Sequence, residues 1–213
     1  SISSQKYKNC KNQINILKWG YYIMPLDNGS RSFGKTVCFS GHRPEKLPNG
    51  GNDHSQVIRT IKSILYKEIL DSIDDGCTTF VTGLARGVDL WAGEMIMELK
   101  AQGMPLKLVA AAPYKAHGSS FKGRDRFILG NIFLKADEVI YVCENYSRDC
   151  MRLRNEYMVD RSDKLIAVVS DYRSGTGQTI RYAERRKLEI KIIDAAKLEN
   201  GINTGSEFEQ LAF

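Results

Sequence analysis

Six short runs of β-type residues alternate with helix-type patterns between Lys35 and Asp194, and this alternation limits the chain to one broad architecture. The runs are KTVCFSG from Lys35, TTFVTG from Thr78, LKLVAAAPY from Leu106, DEVIYVCE from Asp137, KLIAVVSD from Lys164 and IKIID from Ile190. Between the first two, Ile58, Ile61, Leu65 and Ile69 recur at spacings of three and four, which predicts an amphipathic helix ending at Gly76. Leu90, Trp91, Met95 and Leu99 do the same behind the second run, up to Gly103. Further helices are predicted at Arg124 to Lys135, Met151 to Arg161 and Gln178 to Lys187. After Lys107 the third run is apolar, as befits a parallel strand covered on both faces. Strands joined through helices make a doubly wound, mostly parallel α/β sheet, Rossmann-like, with helices on both faces and a ligand crevice at the carboxyl ends of the strands.

Two strand ends run into glycine-rich turns, VTGLARGVD at residues 81 to 89 and SDYRSGTGQT at residues 170 to 179. Glycine lets backbone approach a ligand closely, and the following helix offers unpaired N–H groups and a positive dipole end to an anion. Neither turn fits G-x-G-x-x-G, and the chain has no G-x-x-x-x-G-K-[ST], so ordinary dinucleotide and Walker-type cradles are not indicated. The candidate ligand-binding residues are Ser40, Gly41, His42 and Arg43 after the first strand and Thr82, Gly83, Arg86, Gly87 and Asp89 after the second. Gly175, Thr176, Gly177 and Thr179 follow the fifth. APY (Ala112 to Tyr114) and ENYSRD at residues 144 to 149 end the third and fourth runs, so all five loops are expected at one edge. Ser40 and Thr82 equally suit helix capping, Arg86 a surface charge, and Asp89 either a cap or an acceptor for a ribose hydroxyl. His42, His54 and His117 lack metal-ligand spacing, and neither a metal nor a cofactor is required.

Of the 213 residues, the first 34 carry five Lys or Arg against the single acid Asp27, whereas the remainder holds 26 basic and 24 acidic residues. A basic leader (1–34), read as flexible and dispensable, therefore precedes a nucleotide-binding domain (35–213) whose balanced charge argues against nucleic acid as the main partner. The five cysteines show no C-x-x-C spacing and mostly lie in apolar runs, which suits reduced core residues of a cytoplasmic protein. No apolar stretch approaches the roughly 20 residues of a bilayer span.

GLARGVDLWAGE, together with SGHRP, RNEYMVDRSDKLIAV and SGTGQTIRYAERR in that order, resembles the signature of the SLOG superfamily. These are the modified Rossmann folds of DNA-processing protein A and the Lonely Guy enzymes, and the set is similar to the YspA/YpsA-like branch. The resemblance spans about residues 36 to 194 and implies a nucleotide or nucleotide-derived ligand, such as an ADP-ribose-like molecule. A homo-oligomer, taken as a dimer, is the expected assembly.

Lonely Guy enzymes cleave the N-glycosidic bond of nucleoside monophosphates with a PGGxGTxxE turn. Gly175 and Thr176 match its GT pair, but Thr179 stands where the carboxylate belongs. Glu184 lies further along the helix, and Arg154 matches that family's arginine. Arg154, Glu184 and Asp89 are therefore the catalytic candidates of a phosphoribohydrolase, while binding or sensing without turnover is the leading reading. A single-stranded nucleic-acid-binding protein is the third.

Overall fold

The computed structural model describes residues 34–204, so the expectations for the leader lie outside the described residues except at Gly34. Six parallel strands form one sheet in the order β4-β3-β2-β1-β5-β6. They are β1 (Lys35–Gly41), β2 (Cys77–Thr82), β3 (Lys107–Tyr114), β4 (Glu138–Cys143), β5 (Lys164–Val169) and β6 (Glu189–Asp194). Helices α1 (Gln56–Asp74), α2 (Val88–Ala101) and α3 (Gly123–Lys135) connect β1 through β4. After β4, α4 (Cys150–Val159) carries the chain back to β5, α5 (Gly175–Arg185) joins β5 to β6, and α6 (Ala195–Thr204) follows.

The helices divide between the two faces. Ile58, Ile61 and Leu65 of α1, Leu90 and Ile96 of α2, Ile128 and Ile132 of α3 and Leu198 of α6 pack with Val37, Phe39 and Phe80 in one core. Met158 and Val159 of α4 and Ile180 and Ala183 of α5 pack with Cys38, Val81 and Leu165 in the other. Alternate residues of the central strands supply the two layers, because successive side chains of a strand point to opposite faces. Every residue of β5 is buried, as a central parallel strand requires. Cys38, Cys77 and Cys150 are buried free thiols, and burial pushes Cys38 up to about 12.

Three local features differ from the sequence reading. The Pro-rich loop after β1 makes two short 3-10 turns, Pro44–Lys46 and Pro48–Gly51. Helix α5 begins at Gly175 rather than Gln178, because Ser174 caps it by accepting from the Gly177 N–H at 3.2 Å. Helix α6 is not among the helices predicted from the sequence; it starts directly off β6, and Ala195, Leu198 and Ile202 pack at spacings of three and four on the core.

The order of the strands positions the site. Connections leave β1 towards β2 and β5 towards β6, in opposite directions, so the loops behind these adjacent strands diverge and leave a crevice at their carboxyl ends.

Candidate functional site

A cavity of about 220 Å³ opens at that switch point. Its walls are Ser40, Gly41, His42 and Arg43 behind β1, Ser174, Gly175 and Thr176 at the start of α5, Asp89 of α2, and Arg154 and Asn155 of α4. Lys46, Ala85 and Met151 complete the lining.

Arg154 is the centre of the site. It is 4 % exposed and donates from Nη1 to Asp89 Oδ2 at 2.9 Å, while the same carboxylate oxygen accepts from the Ala85 N–H at 3.3 Å. The arginine Nε is buried and has no hydrogen-bond partner. Burial pushes the Asp89 carboxyl up and the Arg154 guanidinium down, and the attraction between the two opposes both shifts. Gly83 makes room for this pair, since a Cβ there would lie 1.6 Å from Arg154 Nη1. Thr82 Oγ1 donates to the Asp89 carbonyl at 2.6 Å and holds the start of α2 against the end of β2. Gly87 takes φ 84° at the N-cap of α2, a left-handed backbone that side chains disfavour. Leu84 also has a positive φ of 63°; its side chain is fully buried, and its carbonyl accepts from His117 Nε2 at 2.9 Å.

His42 links the two diverging loops. Its Nε2 accepts from the Asp171 N–H at 3.1 Å, which places the ring proton on Nδ1, 3.4 Å from Thr176 Oγ1. Burial and then Lys46 hold its pKa below the ordinary value, with Asp171 opposing them. A neutral imidazole follows from the geometry as well, because a second proton would face the Asp171 N–H. Ser174 Oγ donates to the Asp171 carbonyl at 2.5 Å, so the turn before α5 is tied at both ends.

Beside this cavity lies a groove of about 380 Å³ between α4 and α5, lined by Thr179, Gln178, Tyr182 and Glu156 and by Arg148, Arg152, Arg181 and Arg185. Met151, Asn155 and Gly175 line both spaces, so the two are continuous. Thr179 Oγ1 donates to the Gly175 carbonyl at 3.0 Å and accepts from Asn155 Nδ2 at 2.8 Å.

Of the residues nominated from sequence, Ser40, Gly41, His42, Arg43, Asp89, Arg154, Gly175 and Thr176 therefore face the cavity, and Thr179 faces the groove. Thr82, Gly83, Gly87 and Gly177 stand behind them as support; a Cβ on Gly177 would lie 1.9 Å from the Tyr172 carbonyl oxygen. Arg86 is elsewhere, its guanidinium shared between Asp125, at 2.7 Å, and Glu45. Glu184 is exposed and lines neither space. The loop ENYSRD contributes only Arg148, and APY contributes nothing, because the chain behind β3 turns towards a separate hollow beside Lys115 and His117. Asn155 and Lys46 were missed: an Asn inside a helix and a Lys in a loop carry no distinguishing local pattern.

A family model for the YspA SLOG family matches residues 37–198, which includes every wall of the site. The chain belongs to this family. Among its relatives, the UPF0398 proteins of Bacillus cereus (strain B4264) and Bacillus thuringiensis (strain Al Hakam) are each 28 % identical over 159 residues, covering 74 % of this chain and 86 % of theirs. The fold is similar to that of DNA processing protein A from Helicobacter pylori, with a TM-score of 0.53 and 17 % identity over 81 % of this chain and 74 % of that one. The Streptococcus pneumoniae protein gives 0.54 and 16 % over 82 % and 58 %. The Helicobacter pylori structure concerns that protein's mode of binding single-stranded DNA.

Among the described residues no helix is long and apolar enough to cross a membrane, and no group of three or more His, Cys, Asp or Glu is arranged to hold a metal ion.

Proposed function

We propose that this YspA SLOG protein binds a nucleotide or nucleotide-derived ligand and seats a phosphate of it in the cavity between α5 and Arg154. The observation that carries the reading is the buried, unpartnered Nε of Arg154. A buried cationic donor with an unused hydrogen is costly unless an acceptor arrives. The N–H groups of Gly175 and Thr176 open α5 on the opposite wall, where a helix has no earlier carbonyl to offer them. Arg43 and Lys46 add positive charge at the mouth.

Binding without rapid turnover is favoured over glycoside cleavage. An oxocarbenium-like transition state needs a placed carboxylate to stabilise it or to activate water. Asp89 is engaged by Arg154, Glu156 by Arg152 at 2.9 Å, and Thr179 supplies no charge. A cytoplasmic homodimer is part of the same reading. The test is calorimetry with nucleoside monophosphates, followed by chromatography for released base: binding without release supports the reading, and release lost in Arg154→Ala would replace it with a phosphoribohydrolase. Absence of binding by all of them would remove the phosphate seat.

A further inference from the structure

The groove between α4 and α5 gathers four arginines, Arg148, Arg152, Arg181 and Arg185, around one glutamate. Arg152 is partly neutralised by Glu156 at 2.9 Å and Asp149 at 3.2 Å. Arg181 donates to the Tyr172 carbonyl at 2.9 Å, Arg185 lies 5.5 Å from the centre of the Tyr182 ring, and Arg148 makes no ion pair among the described residues. Like charges brought to one groove repel one another unless an anion sits among them.

The groove joins the inner cavity at Gly175 and Asn155. Asn155 is oriented there by hydrogen-bond direction. Thr179 Oγ1 gives its only hydrogen to the Gly175 carbonyl, so it accepts the Asn155 amide N–H and leaves Asn155 Oδ1 as the acceptor at the join. Such an oxygen suits a hydroxyl or amine donor on the ligand.

We propose that the groove is a second anion subsite, and that the ligand is a nucleotide with two phosphates separated by a nucleoside, as in a nucleoside 3′,5′-bisphosphate unit. The proposal rests on the inner cavity being the first phosphate seat. Spacing selects the class. Arg181 and Arg185 lie six and ten residues beyond Gly175 on α5, which is about 9 and 15 Å along a helix rising 1.5 Å per residue. Adjacent phosphates of a diphosphate share one bridging oxygen and are too close together to fill both seats. A ribose between them supplies the length and presents a hydroxyl to Asn155 Oδ1. The same unit occurs free and at the 5′-phosphorylated end of a nucleic-acid strand.

The experiment is calorimetry at low salt with the four nucleoside 5′-monophosphates, their 3′,5′-bisphosphates and a 5′-phosphorylated tetradeoxynucleotide, on the whole chain and on Arg148→Gln/Arg181→Gln. For a base that binds, the bisphosphate is expected to bind at least about tenfold more tightly than the monophosphate, the scale of one charge-assisted hydrogen bond. In the double variant that ratio falls towards one. Arg148→Gln alone, which removes no ion pair among the described residues, lowers the ratio in part and guards against disturbance of the Tyr172 loop. A tetranucleotide that exceeds the bisphosphate identifies a strand as the source; equality identifies a free nucleotide. Equal binding of mono- and bisphosphate, or a ratio that survives the double variant, overturns the second subsite while leaving the inner seat standing. Absence of binding by every probe overturns both.

Discussion

Arg154 on α4 and Asp89 on α2 meet at 2.9 Å with side chains 5 % and 4 % exposed, and they tie together helices on opposite faces of the sheet. Such a pair is costly to half-remove, because the remaining charge stays buried without its partner. Asp89→Asn and Arg154→Met are each expected to cost about 3 to 5 kcal/mol of stability. The double variant should lose less than the sum of the two. Denaturant unfolding of the three variants checks this, and additive losses would show that the pair is not coupled.

Gly175 and Gly177 are two residues apart, yet substitutions there should act differently. A Cβ on Gly175 meets nothing within 4 Å and projects where the ligand is proposed to sit, so Gly175→Val is expected to keep the fold and lose nucleotide binding. On Gly177 the same atom would collide with the Tyr172 carbonyl, and Gly177→Ala should lower the melting temperature by several degrees, the usual result of about 1 to 3 kcal/mol of overpacking in a domain of this size. Melting curves paired with titrations of a bound monophosphate separate the two effects.

What the sequence showed and what it hid follow the range of the interactions. Strand runs and helix periods are local, so all six strands and five of the helices lay close to where the pattern placed them. The glycine turns were also local. Arg86 was ambiguous because its partners Glu45 and Asp125 lie 41 and 39 residues away, and only the folded chain brings them together. Glu184 fell away from the site because it lies off the face of α5 on which Gln178, Arg181, Tyr182 and Arg185 recur at spacings of three and four along the groove. Asn155 acquires its place only through Thr179, 24 residues on. The arginine groove needs two helices side by side, so the near-balanced charge of residues 35–213 concealed a local excess.

Acidification should weaken the fold through two histidines. Burial, the largest cause in each, holds His42 and His117 below the ordinary histidine pKa. Lys46 adds to this at His42 against Asp171, whereas at His117 the Leu84 carbonyl opposes it and Arg154 and Arg43 reinforce it. The folded chain thus prefers the neutral rings. Their contribution is fully present above the unfolded pKa of about 6.5 and is lost as pH falls through it towards the lower folded values. Glu45 and Asp137, held below their ordinary values, lose their contributions only further down, below about pH 4.5. The melting temperature is expected to fall as pH drops below about 6.5, with a shallower slope in His42→Gln and the shallowest in the double variant with His117→Gln. An unchanged slope in the double variant would assign the loss to other groups.

The homodimer is tested on α3. Phe127 and Leu134 are 69 % and 84 % exposed and stand seven residues apart, so they share one face of the helix at about two turns' separation. Gly130 lies between them, and a Cβ there meets nothing within 4 Å. Two large apolar side chains around a bare glycine form a surface that water covers poorly and a second copy would cover well. Light scattering is expected to report a dimer for the native chain and a monomer for Phe127→Glu/Leu134→Glu. Stability of the monomeric fold should change by only about 0.5 kcal/mol per site, since neither side chain is in the core. A monomeric native chain would remove the dimer from the reading; a dimer that survives the double variant would place its interface on another face.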